Sequence, residues 1–117
     1  MNDVVLALGT NLGNRTENLQ QALNYINILI GPVIKQSKIY ETKAVGFDGH
    51  DFLNMTVLIQ TDQMPDVLLK KTQSIEKLLG RTKKSQNQIY QNRLIDIDIL
   101  YFNNHIFKSD NLTIPHP

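Results

Sequence analysis

Residues 93–102, RLIDIDILYF, set hydrophobic and ionic demands against each other within one short run. Ile95, Ile97 and Ile99, with the flanking Leu94, Leu100 and Phe102, require burial, whereas Asp96 and Asp98 interrupt them at alternate positions. Successive side chains of a strand point to opposite faces, so the carboxylates share one face and the isoleucines the other. The two carboxylate Cβ atoms then lie ~7 Å apart, two rises of about 3.3 Å. Like charges at that spacing repel each other and lose hydration on packing. Such a strand needs a sheet with one covered face and one open face, and the open face needs something that offsets the two charges.

The rest of the chain supplies elements for such a sheet. Val4 to Leu8 reads as a short buried strand ended by Gly9 and the turn-rich GTNLGN. Asn14, with Glu17 three residues on, resembles a capping box, and Leu19, Ala22, Leu23, Ile26 and Ile30 form a helical stripe. Gly31-Pro32 stops that helix. Val33 to Thr42 is β-rich, and Lys43 to Asp51 is a loop. Phe52 to Thr61 alternates cleanly: Leu53, Met55, Val57 and Ile59 take one face, and Phe52, Asn54, Thr56 and Gln60 the other. Pro65 opens a second helix with Leu68, Ile75 and Leu79 on its stripe, and Gly80 closes it. A polar stretch leads to the IDIDIL strand, Asn103-Asn104 signals a turn, and LTIPHP is extended.

The order β-α-β-β-α-β predicts an α+β, ferredoxin-like fold: an antiparallel sheet with two helices on one face. The helices cover the Leu53/Val57/Ile59 and Ile95/Ile97/Ile99 faces, which leaves Phe52, Asn54, Asp96 and Asp98 together on the open one. A chain of 117 residues is one domain with room for one core. Charged residues make up 20% and hydrophobic ones 41%, which excludes a disordered chain. A net charge of +1 argues against a general polyanion binder, so no nucleic-acid partner is expected. The chain has no cysteine, which removes disulfides and thiolate metal sites and fits a cytoplasmic location. No basic region precedes the short apolar run at the N-terminus, and no run approaches the ~20 apolar residues of a membrane helix. Neither a signal peptide nor a membrane association is expected.

Two carboxylates on one rigid strand suit Mg²⁺, which takes oxygen ligands and keeps phosphate and water in its shell. A pair spaced in this way can serve two ions ~3.5–4 Å apart, as in two-metal phosphoryl-transfer sites. The alternative is an outward face where Asp simply meets solvent, because an isolated D-x-D is weak evidence. Between Lys70 and Arg93 the chain carries Lys70, Lys71, Lys77, Arg81, Lys83, Lys84 and Arg93 against Glu76 as its sole acid. Cations beside a carboxylate pair make a polyphosphate clamp, although lysines at a helix C-terminus also simply favour the dipole. GTNLGN lacks the G-x-x-x-x-G-K-[ST] pattern, so the chain is not a P-loop enzyme. Phe52 and Asn54 can stack on and hydrogen-bond a flat heterocycle, or can serve only packing and the strand edge. His116, between two prolines, can reach a phosphate or stay a surface histidine.

Taken in order, ALGTNLGNR, YET at 40–42, FLN at 52–54, GR at 80–81, RLIDIDIL and LTIPHP resemble the 6-hydroxymethyl-7,8-dihydropterin pyrophosphokinases of folate biosynthesis. The resemblance runs through nearly the whole chain. It implies transfer of pyrophosphate from ATP to the pterin hydroxymethyl group with release of AMP, with ATP as co-substrate and two Mg²⁺ ions held by Asp96 and Asp98. It places Gln73, Glu76, Arg81, Lys83, Lys84, Arg93, Ile99, Thr113 and His116 around the nucleotide, with Arg81 and Arg93 acting in catalysis beside the two aspartates. Thr42, Val45, Phe52 and Asn54 line the pterin pocket, Thr42 and Val45 partly through backbone groups. Lys83 stands where an arginine is common, keeping the charge but losing the bidentate fork. IYQNR replaces the frequent Trp-Gly-Pro-Arg pattern. The resemblance also implies a single pyrophosphokinase domain over residues 1–117 that lacks a C-terminal segment of the family; the sequence does not set the oligomeric state, and a monomer is favoured. Two rival classes share the topology: a ligand-binding module that releases no AMP, and an RNA-binding module with base-stacking aromatics on its central strands.

Overall fold

The computed structural model describes residues 1–43, 51–80 and 95–103, together with the backbone of two short strands at 107–108 and 113–114. The first strand, β1 (Asn2–Thr10), buries Val4, Leu6 and Leu8 on one face. Helix α1 (Arg15–Leu29) begins where the Asn14 side chain accepts a hydrogen bond from the Glu17 backbone N–H at 3.1 Å. That is half of the expected capping box. The Glu17 carboxylate instead accepts from Gln21, one turn on. Asn18 binds the preceding turn to the helix, donating to the Thr10 hydroxyl and to the Leu12 carbonyl. The expected stripe of Leu19, Ala22, Leu23, Ile26 and Ile30 is buried throughout.

After α1 the β-rich stretch divides into β2 (Val33–Gln36) and β3 (Tyr40–Thr42). Both pair with β4 (Phe52–Thr61), at different places along it. Ser37 spans the break: its backbone N–H donates to the Thr56 carbonyl, and its hydroxyl accepts from the Thr56 N–H. Helix α2 (Pro65–Leu78) starts with proline in its first turn, as expected, and leads towards β5 (Asp96–Phe102). Beyond it β6 (Phe107–Lys108) and β7 (Thr113–Ile114) form a separate two-stranded ribbon. The main sheet runs β2-β4-β1-β5, with β3 beside β2 on the same edge of β4, and every pairing is antiparallel.

This is the expected ferredoxin-like arrangement. Each helix links two strands separated by a third, so β1 is inserted between β4 and β5. One continuous core joins the inner faces of β1, β4 and β5 to the stripes of α1 and α2, with Leu6, Ile26, Ile59, Leu68, Ile75 and Ile95 fully enclosed. At ~1.5–3 kcal/mol per fully buried large aliphatic, that layer dominates the favourable side of folding.

The register departs from simple alternation at one place. Val5 pairs with Tyr101 but Leu6 pairs with Ile99, so Leu100 is an extra residue, a β-bulge. The bulge turns Phe102, 3% exposed, into the core and leaves Leu100 only partly covered. The sequence pattern asked for burial at both. Alternation alone would have placed Phe102 on the face of Asp98.

The end of α1 is closely fitted to β4. Thr61 donates its hydroxyl to the Ile30 carbonyl at 2.9 Å, and the Gln63 amide donates to the Leu29 carbonyl at 3.1 Å, satisfying acceptors that a helix end leaves open. Gly31 follows, and a Cβ there would lie 1.9 Å from the Gln60 carbonyl oxygen. Glycine is required by this approach of two backbones. Gly31→Ala should therefore destabilise the fold by about 1–3 kcal/mol or more, lowering the melting temperature by at least about 4 °C. Thermal unfolding followed by circular dichroism measures it.

Candidate active site

Three strands contribute to one patch on the face opposite the helices. β5 presents Asp96 and Asp98, both partly buried, because Ile95, Ile97 and Ile99 between and beside them point into the core at 5% exposure or less. β1 lies alongside with Gly9 opposite Asp96 and Ala7 opposite Asp98. On its other side β1 pairs Gly9 with Asn54 and Ala7 with Thr56. A row Asn54–Gly9–Asp96 thus crosses the sheet, its outer members two strand spacings, about 9–10 Å, apart.

Small residues at positions 7 and 9 keep the middle of that row low. A Cβ on Gly9 would sit 3.2 Å from Asn54 Oδ1 and 3.5 Å from Phe52 Cδ1. The Asn54 amide and the Phe52 ring therefore lean over the glycine. Asn54 is held by donating to the Thr42 hydroxyl at 2.9 Å and, more loosely, to the Tyr40 carbonyl at 3.4 Å. Those bonds follow from the pairing of Tyr40 with Asn54 and of Thr42 with Phe52. Thr42, Phe52 and Asn54, expected together, lie on one two-stranded ribbon.

Glu76 occupies a place that its sequence position did not reveal. It is buried on α2, 7% exposed, and its carboxylate accepts from the Ile97 backbone N–H at 2.9 Å. Ile97 lies between the two aspartates, so the helix braces β5 where β5 carries its charges. Gln73 is exposed on the same helix. Ile99 is 2% exposed, its side chain committed to the core, so any contact it makes on the open face is through its backbone. Val45, Arg81, Lys83, Lys84, Arg93 and His116 lie outside the described residues, as does the side chain of Thr113.

Arg15 has no assigned role in the sequence reading, although it closes the ALGTNLGNR motif. Its guanidinium donates to the Asp51 carbonyl at 2.7 Å and lies 3.4 Å from the Glu41 carboxylate. With Asn11 and Gly13 these residues line an open cleft of about 470 Å³. A cation in the first turn opposes the helix dipole, a signal in the sequence that the residue has another partner.

Oxygen donors on an open face beside small residues fit a hard divalent cation. Two carboxylates leave most of a six-oxygen shell to be filled by phosphate and water, the way Mg²⁺ is usually held. No cluster of three or more acidic, histidine or cysteine side chains is present among the described residues.

Residues 5–117 match the family described as 7,8-dihydro-6-hydroxymethylpterin-pyrophosphokinase. The chain belongs to this family. It is 41% identical over 116 residues to a 2-amino-4-hydroxy-6-hydroxymethyldihydropteridine pyrophosphokinase of Porphyromonas gingivalis, a match covering 97% of this chain and 79% of the relative. A Bacillus subtilis protein of the same name is 42% identical over 120 residues, covering all of this chain and 70% of its own. Among solved structures, an HPPK-DHPS crystallised in complex with substrates superposes with a TM-score of 0.66 at 19% identity, over 91% of this chain and 28% of that one. That likeness concerns the fold. Within this pyrophosphokinase fold the brace from Glu76 is separable from its charge. Glu76→Gln keeps an oxygen acceptor for the Ile97 N–H and Glu76→Leu removes it. The leucine variant should be less stable than the glutamine variant by about 1–3 kcal/mol in urea unfolding.

Proposed function

We propose that the chain transfers pyrophosphate from ATP to 6-hydroxymethyl-7,8-dihydropterin in folate biosynthesis. The pterin hydroxymethyl oxygen attacks the β-phosphorus, the bond from that phosphorus to the α-phosphate oxygen breaks, and AMP leaves. The observation that carries this reading is the row Asn54–Gly9–Asp96. It sets a polar, aromatic-walled edge and a carboxylate pair about 9–10 Å apart across a strand with no side chain in between. A flat heterocycle held at one side and a polyphosphate at the other meet over Gly9.

In this reading Phe52 stacks on the pterin, while Asn54 and Thr42 hydrogen-bond its polar edge. Val45 adds to the same pocket. Asp96 and Asp98 hold two Mg²⁺ ions, whose chemistry when bound is to neutralise phosphate charge. Gln73, Glu76, Ile99, Thr113 and His116 surround the nucleotide with Lys83 and Lys84, and Arg81 and Arg93 donate to the transferred group. The protein's contribution is positioning and electrostatic stabilisation, since the transfer needs no covalent intermediate. We place the enzyme in the cytoplasm as a monomer. No described helix is long and apolar enough to cross a membrane. The RNA-binding alternative asks for aromatics on the central strands, but the open face of β1 offers Val5, Ala7 and Gly9.

AMP release from ATP in the presence of Mg²⁺ and the pterin tests the assignment directly. Asp96→Asn and Asp98→Asn should each abolish it while leaving the circular dichroism spectrum unchanged. Turnover at the wild-type rate in either variant would remove the metal-site assignment. Gly9→Ala places a methyl group against Asn54 Oδ1 and the Phe52 ring. It should raise the pterin KM by roughly tenfold, about 1.4 kcal/mol, with a smaller effect on ATP. Steady-state kinetics with each substrate varied in turn shows the split.

A further inference from the structure

We infer that Arg15 is a positioning residue for the pterin pocket, acting from behind the β3–β4 ribbon without touching substrate; the inference rests on the function proposed above. The ribbon has two faces. Tyr40, Thr42, Phe52 and Asn54 alternate onto the open one, where Asn54 donates to the Thr42 hydroxyl. Glu41 pairs with Leu53, which packs against the core, so both project towards the helices. Arg15 approaches from that side, in the first turn of α1.

Its two contacts fall on opposite strands. Glu41 belongs to β3, and Asp51 immediately precedes β4. One guanidinium nitrogen thus ties both strands, at the end of the ribbon that carries Thr42 and Phe52, to a helix anchored in the core. The ribbon needs such a tie. β3 is three residues long and exposed throughout, and it pairs with β4 at only three positions. A strand that short gains little from its own ladder. A slip of one residue would move Thr42 to the helix side and remove the acceptor that orients Asn54.

The placement of the charge favours this role over that of a chance surface ion pair. At the first position of a helix a cation lies against the positive end of the dipole, so Arg15 is unfavourable for α1 itself. What offsets it is the Asp51 carbonyl at 2.7 Å and the Glu41 carboxylate at 3.4 Å. The carbonyl is the closer partner, which makes backbone position, rather than charge pairing, what the side chain fixes. Arg15 is itself largely covered, with 31% of its side chain exposed, against 59% for Glu41.

The test compares wild type, Arg15→Ala and Arg15→Lys. Pterin binding and Mg²⁺-ATP binding are each measured by calorimetry, alongside the melting temperature and AMP release. Arg15→Ala should weaken pterin binding about three- to tenfold, leave Mg²⁺-ATP binding within twofold, and leave the melting temperature nearly unchanged. Arg15→Lys should fall between, since an ammonium keeps one donor and loses the reach of the fork. Equal pterin affinity in wild type and Arg15→Ala would overturn the inference and leave the proposed function standing. Parallel loss of both ligands with a lowered melting temperature would overturn it in favour of a purely structural role. Failure of the wild type to bind pterin would overturn both.

Discussion

Ile95, Ile97 and Ile99 pack beneath the helices, and their burial decides where Asp96 and Asp98 point. A strand has only two faces, so three adjacent alternate positions buried in a close-packed core leave the intervening side chains no other direction. The same constraint passes across the sheet. β1 buries Val4, Leu6 and Leu8, which puts Ala7 and Gly9 beside the aspartates, and β4 buries Met55, Val57 and Ile59, which puts Asn54 and Thr56 on the far side. The open face is ordered by what lies under it. Positioning of the charged and polar groups is thus a by-product of hydrophobic burial, the largest favourable term in folding.

Much of this was legible in the residue pattern. The alternation in Phe52–Thr61 and in IDIDI gives strand, face and core membership together, because a period of two admits one assignment. The stripe Leu19–Ile30 does the same for α1. Less was legible where one backbone answers to another. The bulge at Leu100 depends on how β5 fits β1, and no local signal marks it, so Phe102 belongs to the core for a reason outside its own strand. Gly31 could be read as a helix stop, but its closest constraint is the Gln60 carbonyl, many residues away.

For the site, the family resemblance and the strand pattern together brought out Asp96, Asp98, Phe52, Asn54 and Thr42, and the structure gathers them on one face. They missed how two other residues, Glu76 and Arg15, are held. Glu76 looked like a lone acid in a basic stretch, and its buried bond to Ile97 is a long-range contact that composition cannot show. Arg15 stood only as the last residue of ALGTNLGNR, and its partners Glu41 and Asp51 come from the β3–β4 ribbon. Local periodicity identifies which residues face a site. It does not identify those that hold it from the other side.

The bond from Ile97 to Glu76 has a consequence for the behaviour of the sheet as a whole. Among the described strands β5 is the last on its side of the main sheet, with β7 in contact with it, and a terminal strand exposes backbone donors and acceptors. At Ile97 the donor is already taken by a buried carboxylate from α2, and the helix that supplies it lies against the strand. A foreign strand docking there would have to displace that carboxyl group or forgo a ladder bond at Ile97. The contact that steadies the carboxylate pair therefore also takes one backbone donor out of reach of a passing strand.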